Sequence, residues 1–353
     1  MKSICFRVAL IALWHFLLCV QAAQNEVRLP PEIEMNESAG HWGRVFVKLR
    51  VGDLEDVLFL LDTGASITTV DKSLQSKLGK RLERTFVSGW RGKEQLAIHA
   101  SPQFFLAGTQ LPIAKVGVMD LKLPQNPNFE RGILGMDCLA NYCIQFDFEA
   151  RKLRFLESQR LVRTNLGKEF QIKFRKNLPY IYDSTLTGLK STELLVDSGY
   201  DLDGRVETPS DEAEHPEAIR LSDCQWNGWN YTNVAVRHGD GLKVLGLRFL
   251  ARHLVTLDFP EGKMYLKQTR TAPLAAADVE AAGGFLKSLK KAGQLSDWLP
   301  EEKGFLAATP NDLETLVGWR AVDSKLFYYN IKYDLESGAF RLEETRSRRI
   351  EGN

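Results

Sequence analysis

Alternating apolar and polar positions recur in short bursts along most of the chain, the period-two signature of half-buried strands. Val45–Val51 and Val57–Leu61, with Gly52 near the turn, read as one hairpin. Tyr180–Thr187 and Thr192–Val196, with Gly188 near the turn, read as a second. In each, the later strand ends in aliphatic residues and runs straight into an acid, a hydroxyl residue and a glycine: Asp62-Thr63-Gly64 and Asp197-Ser198-Gly199. Helical texture is confined to short segments and to the region beyond Thr269. There an Ala-rich stretch from about Asp278 to Lys291 and another around Asn311–Val317 predict helices. Lys325–Tyr333 and Ala339–Glu344, joined through Glu336-Ser337-Gly338, predict an aromatic-rich hairpin.

The strand pattern contains a duplication. Gly135–Phe155 (GMDCLANYCIQFDFEARKLRF) aligns without a gap on Gly246–Leu266 (GLRFLARHLVTLDFPEGKMYL), at an offset of 111 residues. Six pairs are identical, among them Gly135/Gly246, Asp147/Asp258 and Phe148/Phe259. Both segments read as aliphatic strand, glycine, short helix, then a hairpin around Glu149–Arg151 or Pro260–Gly262. The two Asp-[Thr/Ser]-Gly motifs lie 135 apart, so the second copy is 24 residues shorter between its motif and its aliphatic-aliphatic-Gly. The expected architecture is mainly β: two homologous β-barrel lobes, 40–160 and 165–268, and a small C-terminal α+β appendage, 278–346.

Composition narrows the picture. The 353 residues, 44% of them hydrophobic, suffice for two ordinary cores. Lys+Arg (46) balance Asp+Glu (45), which argues against a nucleic-acid partner held by bulk charge. Lys2 and Arg7 precede an apolar run, Val8–Val20, broken only by His15 and followed by Ala22 and Ala23. It is short for a membrane span, so residues 1–22 are expected to be a secretory signal, with a secreted or periplasmic mature chain. The residues from Ala23 to about His41 are a candidate short propeptide. Cys5 and Cys19 leave with the signal; Cys138, Cys143 and Cys224 allow at most one disulfide. Cys138 and Cys143 are expected on different faces of one short helix.

The paired motifs suit two carboxylates facing one another across a pseudo-twofold axis. Such a pair shares a proton, and its two pKa values move apart. The ionised member can take a proton from water while the other donates to a substrate carbonyl. No metal, cofactor or covalent intermediate is required. The hydroxyls of Thr63 and Ser198 are suited to bonding backbone across the axis, and Gly64 and Gly199 to offering N–H groups to the carboxylates. Asp147 and Asp258 precede hairpin turns and read as structural. No HExxH or GxSxG motif supports a zinc or serine enzyme.

From Leu60-Leu61-Asp62-Thr63-Gly64-Ala65-Ser66 with Ile133-Leu134-Gly135, and Leu195-Val196-Asp197-Ser198-Gly199 with Val244-Leu245-Gly246, the chain resembles a retropepsin-like aspartic protease with two lobes fused as in pepsin-like enzymes. The resemblance spans about Gly43 to Leu266. It implies peptide-bond hydrolysis by Asp62 and Asp197, supported by Thr63, Gly64, Ser198 and Gly199, on an extended peptide or unfolded protein held in an interlobe cleft. It implies a flap near Phe86–Ile98, with Trp90 a candidate covering ring, and no stable membrane span after signal removal. A monomer suffices when both lobes share a chain. Tyr200 and Asp201 depart from the small residue usual after the second motif; Asp201 and Asp203 add negative charge there, and the 24-residue contraction removes a second flap. Two alternatives follow: an inactive peptide-binding module with Tyr200 between the carboxylates, or a homodimer pairing Asp62 with Asp62.

Overall fold

The computed structural model describes residues 28–36, 39–40, 43–89, 92–121, 130–182, 193–206, 218–238 and 242–274. Beyond these it describes the backbone of four strands, Phe305–Ala308, Thr315–Val322, Lys325–Asp334 and Ala339–Arg349. The expected signal, residues 1–22, lies outside the described residues, as does the Ala-rich stretch from 278 to 291.

The fold is mainly β. A nine-stranded sheet holds Phe46–Leu134 of the first half, and a twelve-stranded sheet joins Ile33–Glu34, Cys143–Asp147 and Lys152–Leu156 to the strands from Lys168 to Gln268; the C-terminal strands form a separate antiparallel sheet of four. In the first half, Leu54–Leu61 pairs antiparallel with Phe46–Val51 on one side and parallel with Gly132–Leu134 on the other. Its burial pattern follows from its composition. Val57, Phe59 and Leu61 enter the main core, while Leu58 and Leu60 line the opposite face with Phe46. The second half repeats this construction. Glu193–Asp197 lies between Leu178–Tyr182, antiparallel, and Val244–Gly246, parallel.

The duplicated segment folds alike in both copies. Met136–Leu139 and Leu247–Leu250 are single-turn helices, and Cys143–Asp147 with Lys152–Leu156 matches His253–Asp258 with Lys263–Gln268. Even the left-handed turn position is shared, Arg151 at φ 53° and Gly262 at φ 63°. The copies meet strand to strand, with Gln145 opposite Thr256, and their hydrophobic residues merge into one continuous core. Trp226 is sealed in it, stacked on Phe170 at 5.2 Å and edge-on to Phe249 at 5.0 Å. Burying such a ring stabilises the fold by about 2–3 kcal/mol.

The described part of the candidate propeptide, residues 28–36 and 39–40, is woven into the sheet edge. Ile33–Glu34 pairs with Lys152–Leu153, Glu32 and Glu34 bond Arg154 and Arg151 at 2.7 Å, and Met35 and Ala39 are buried. Cys143 starts a strand rather than sharing the helix of Cys138, because the helix ends after one turn at Leu139. All three described cysteines are free and buried. The helix expected around Asn311–Val317 gives way to a strand from Thr315, in which Leu316, Gly318 and Arg320 alternate with Val317, Trp319 and Ala321. The expected hairpin beyond it is present, Lys325–Asp334 against Ala339–Arg349. In the second half Ala218–Trp226 turns directly into Trp229–His238. That hairpin closes the edge of its sheet, as Arg81–Gly89/Gly92–Ala100 closes the edge of the first.

Candidate active site

Each aspartate sits where an aliphatic strand must leave its sheet. In the first half Asp62 N–H donates to Leu134 O (3.0 Å), and the chain then turns tightly, Ala65 N–H donating to Asp62 O (3.3 Å). In the second, Tyr200 N–H donates to Asp197 O (3.4 Å). The helix after each aliphatic-aliphatic-Gly closes the loop, Met136 N–H on Ala65 O at 2.8 Å and Leu247 N–H on Tyr200 O at 2.7 Å. Gly135 and Gly246 are required by contact. A Cβ on Gly135 would lie 2.7 Å from the Ile67 carbonyl carbon, and one on Gly246 would lie 2.1 Å from Leu202 O.

The loops clasp each other through a reciprocal set of bonds. Thr63 N–H donates to Ser198 Oγ (3.0 Å) and Ser198 N–H to Thr63 Oγ1 (3.0 Å). Thr63 Oγ1 donates to Val196 O (2.7 Å) and Ser198 Oγ to Leu61 O (2.8 Å). Both hydroxyls are wholly buried, so each one lost would strand an N–H and a carbonyl, at about 1–3 kcal/mol per orphaned group.

That clasp brings the carboxyls together. Asp62 and Asp197 share a side-chain hydrogen bond, and each accepts from the glycine two residues on, Gly64 and Gly199, at 2.8 Å. A Cβ on Gly64 would fall 2.3 Å from Asp197 Cγ, and one on Gly199 would fall 2.5 Å from Asp62 Cγ, so each carboxyl packs over the other loop's glycine. Burial raises the pKa of Asp62, partly opposed by the Gly64 N–H. Burial together with the charge of Asp62 raises Asp197 well above its ordinary value. Two buried carboxyls in contact hold one proton between them.

Residues 47–138 match the family model described as aspartyl protease. No curated protein matches the chain. The matched segment contains Asp62, Thr63, Gly64 and the Ile133-Leu134-Gly135 that closes their loop, and ends before the second aspartate. The likeness to the aspartyl protease model thus lies in the first half, and the second half supplies the opposing carboxyl.

Tyr200 does not separate the carboxyls. Its ring lies against Gly246 and packs on the cluster of Tyr180, Leu195 and Val244. Asp203, expected to add charge, is instead wholly buried and neutralised. Arg252 Nη2 and Nε donate to its Oδ1 at 2.8 and 3.1 Å, and Arg248 lies 3.7 Å from Oδ2. In the first half the same place below the loop is held by Asp137, whose Oδ1 accepts from Thr68 N–H and Oγ1, both at 2.7 Å. Sequence reading missed these anchors. Their trace in the sequence is that Asp137 aligns with Arg248 and Asn141 with Arg252, two of the repeat's mismatches in charge.

Asp147 and Asp258 are structural, accepting from Ala150 N–H (3.0 Å) and Ser158 Oγ (2.7 Å). Trp90 lies outside the described residues, though the strands on either side of it pair, Phe86 with Gln95 and Glu83 with Ile98. A cavity of about 690 Å³ opens between the N-terminal segment at Ile33–Asn36 and the strand Phe46–Val51, and no residue of either Asp loop lines it. Among the described residues no group of three or more His, Cys, Asp or Glu is placed to hold a metal, and no helix is long and apolar enough to cross a membrane.

Proposed function

We propose that the chain is an aspartic endopeptidase of two homologous lobes, 40–160 and 165–268, that hydrolyses extended peptides with Asp62 and Asp197. The observation that carries this reading is the contact of the two carboxyls, each seated over the other loop's glycine. The two carboxyls hold one proton between them, and with it on Asp197, Asp62 is the base. Water between them gives a proton to Asp62 and attacks the scissile carbonyl carbon. The proton on Asp197 meets the carbonyl oxygen and stabilises the tetrahedral intermediate. Collapse of that intermediate breaks the C–N bond, the amine nitrogen takes a proton from the dyad, and the starting state returns. The clasp of Thr63 and Ser198 keeps the geometry fixed, and the hairpin Arg81–Gly89/Gly92–Ala100 covers the substrate. No cofactor enters, and no nucleic-acid partner is involved. The displaced Tyr200 ring favours this reading over a non-catalytic binding module. The chain acts as a monomer, secreted or periplasmic after loss of residues 1–22, with no membrane span remaining.

The test is digestion of an unstructured protein mixture across the acid-to-neutral range, with Asp62→Asn and Asp197→Asn beside the parent. Both variants should keep the parent's circular dichroism and lose cleavage by about 10²–10⁴-fold. A folded parent that cleaves nothing would defeat the proposal.

A further inference from the structure

The turns that close the two Asp loops carry residues of very different size at one equivalent place. Ala65 N–H donates to Asp62 O, and Ala65 O accepts from Met136 N–H. Tyr200 N–H donates to Asp197 O, and Tyr200 O accepts from Leu247 N–H. The duplication thus puts a methyl group in the first half where the second has a phenol.

The ring lies on the face that carries the carboxyls. Leu60 and Leu195 each stand two residues before an aspartate on an extended strand, so they share its face. Leu61 and Val196 enter the main core, whereas Leu60 and Leu195 belong to small clusters apart from it. Cross-strand partners make these clusters matching rows, Phe46, Leu60, Ile133 in the first half and Tyr180, Leu195, Val244 in the second. Tyr200 packs on the second row, its Cδ1 2.8 Å from where a Cβ on Gly246 would stand. The Asp197 charge acts on the phenol, so ring and dyad adjoin. Val244 is buried in that row, while its counterpart Ile133 is half-buried. The buried Tyr200 Oη has no hydrogen-bond partner among the described residues, so what the ring contributes here is bulk.

We propose that Tyr200 sets substrate choice by filling the side-chain pocket of the second half. Cleaved peptides then carry Gly, Ala or Ser on one side of the scissile bond and accept a large apolar residue on the other. The inference rests on the peptidase reading and names its substrate class. The reciprocal Thr63–Ser198 clasp makes the surroundings of the dyad twofold-like. Successive side chains of an extended peptide point to opposite sides, so the two residues flanking the bond meet one half each. Where the phenol stands, only a small side chain fits without moving a packed ring, and such overpacking is costly. Where Ala65 stands, no ring from the loop intervenes.

The experiment compares a peptide series carrying Gly, Ala, Leu or Phe at each of the two residues flanking one cleavable bond. The parent should prefer Ala over Phe by roughly ten- to a hundredfold in kcat/KM at one of them, and show no such preference at the other. Tyr200→Phe, which removes only the hydroxyl, should keep the preference. Tyr200→Ala should admit Phe at that position, a gain of cleavage that misfolding cannot imitate. If Tyr200→Ala loses the parent's circular dichroism, Tyr200→Leu makes the same test by admitting Leu. Equal use of Ala and Phe at both positions, or a preference that survives the smaller side chain, overturns the inference and leaves the peptidase reading standing. Fluorescence anisotropy of labelled Ala and Phe peptides on Asp62→Asn separates the other case. If the parent cleaves nothing, tighter binding of the Ala peptide that is lost in Asp62→Asn/Tyr200→Ala supports the filled pocket and defeats the peptidase. Equal binding of both peptides by such a chain defeats both.

Discussion

At the scale of single residues, the chemistry turns on how far the protein lifts two carboxyls. Asp62 is raised by burial, and Asp197 by burial and by its neighbour's charge, both from an ordinary 3.8. Activity needs one of the pair ionised and the other protonated. The bell-shaped profile of kcat/KM should therefore have both limbs above pH 3.8, with the alkaline limb well above it. Stability constrains the acid side as well. His253 is buried, with Tyr231 Oη (2.8 Å) and Phe249 O (3.0 Å) at its ring nitrogens, and burial pushes its pKa down from 6.5 to about 4 against the pull of the Phe249 carbonyl. The neutral ring is the one that fits, so its contribution is complete above pH 6.5 and is lost as the pH falls to about 4. The loss is on the order of 3 kcal/mol. The raised carboxyls act oppositely, favouring the fold below pH 3.8 and costing stability as pH climbs through their folded values. A pH–rate profile alongside urea midpoints checks both halves of the argument. An activity optimum below pH 3.8 would show that the dyad is not lifted as its burial requires.

At the scale of elements, both Asp loops are held from below, by different means. Thr68 and Asp137 support the first through neutral-donor hydrogen bonds, whereas a buried ion pair, Asp203 with Arg252, supports the second. Arg252 also ties that loop to the carbonyls of Thr232 and Thr271, at 2.7 and 2.8 Å. Asp203→Asn leaves a buried guanidinium without its charge partner and should destabilise the protein by about 3–5 kcal/mol in urea unfolding. A change under 1 kcal/mol would mean the pair is not what braces the loop. Which elements could be read in advance follows from the range of the forces involved. Strand, acid, hydroxyl and glycine are neighbours in sequence, so both Asp loops were legible, as were the repeated helices and hairpins. The Asp203–Arg252 pair joins residues 49 apart, and its one trace in the sequence is the mismatch of Asn141 with Arg252 in the repeat. Ile33–Glu34 is only two residues of strand, ordered by pairing to Lys152–Leu153 and by ion pairs rather than by its own periodicity. The short apolar run at Leu316-Val317 fits either period, and its two neighbouring strands decide it as sheet.

At the scale of the whole molecule, the duplication is closed by register. The pair Cys143–Asp258 becomes Leu254–Asp147 when the copies are exchanged, and Gln145–Thr256 becomes itself, bonded Nε2 to Oγ1 at 3.0 Å. A pseudo-twofold axis therefore passes through that pair and through the reciprocal Thr63–Ser198 clasp. Both contacts are made within one chain and bury their polar groups. This gives a prediction that separates one-chain from two-chain catalysis. Asp62→Asn and Asp197→Asn should each be inactive, mixing them should restore nothing, and the parent's specific activity should not change on dilution. A dimer pairing Asp62 with Asp62 would leave Asp197→Asn active. A dimer formed by exchanging halves would recover activity in the mixture, since one of its two dyads would combine an intact Asp62 with an intact Asp197. Only an axis internal to the chain makes both variants inactive and their mixture inactive as well.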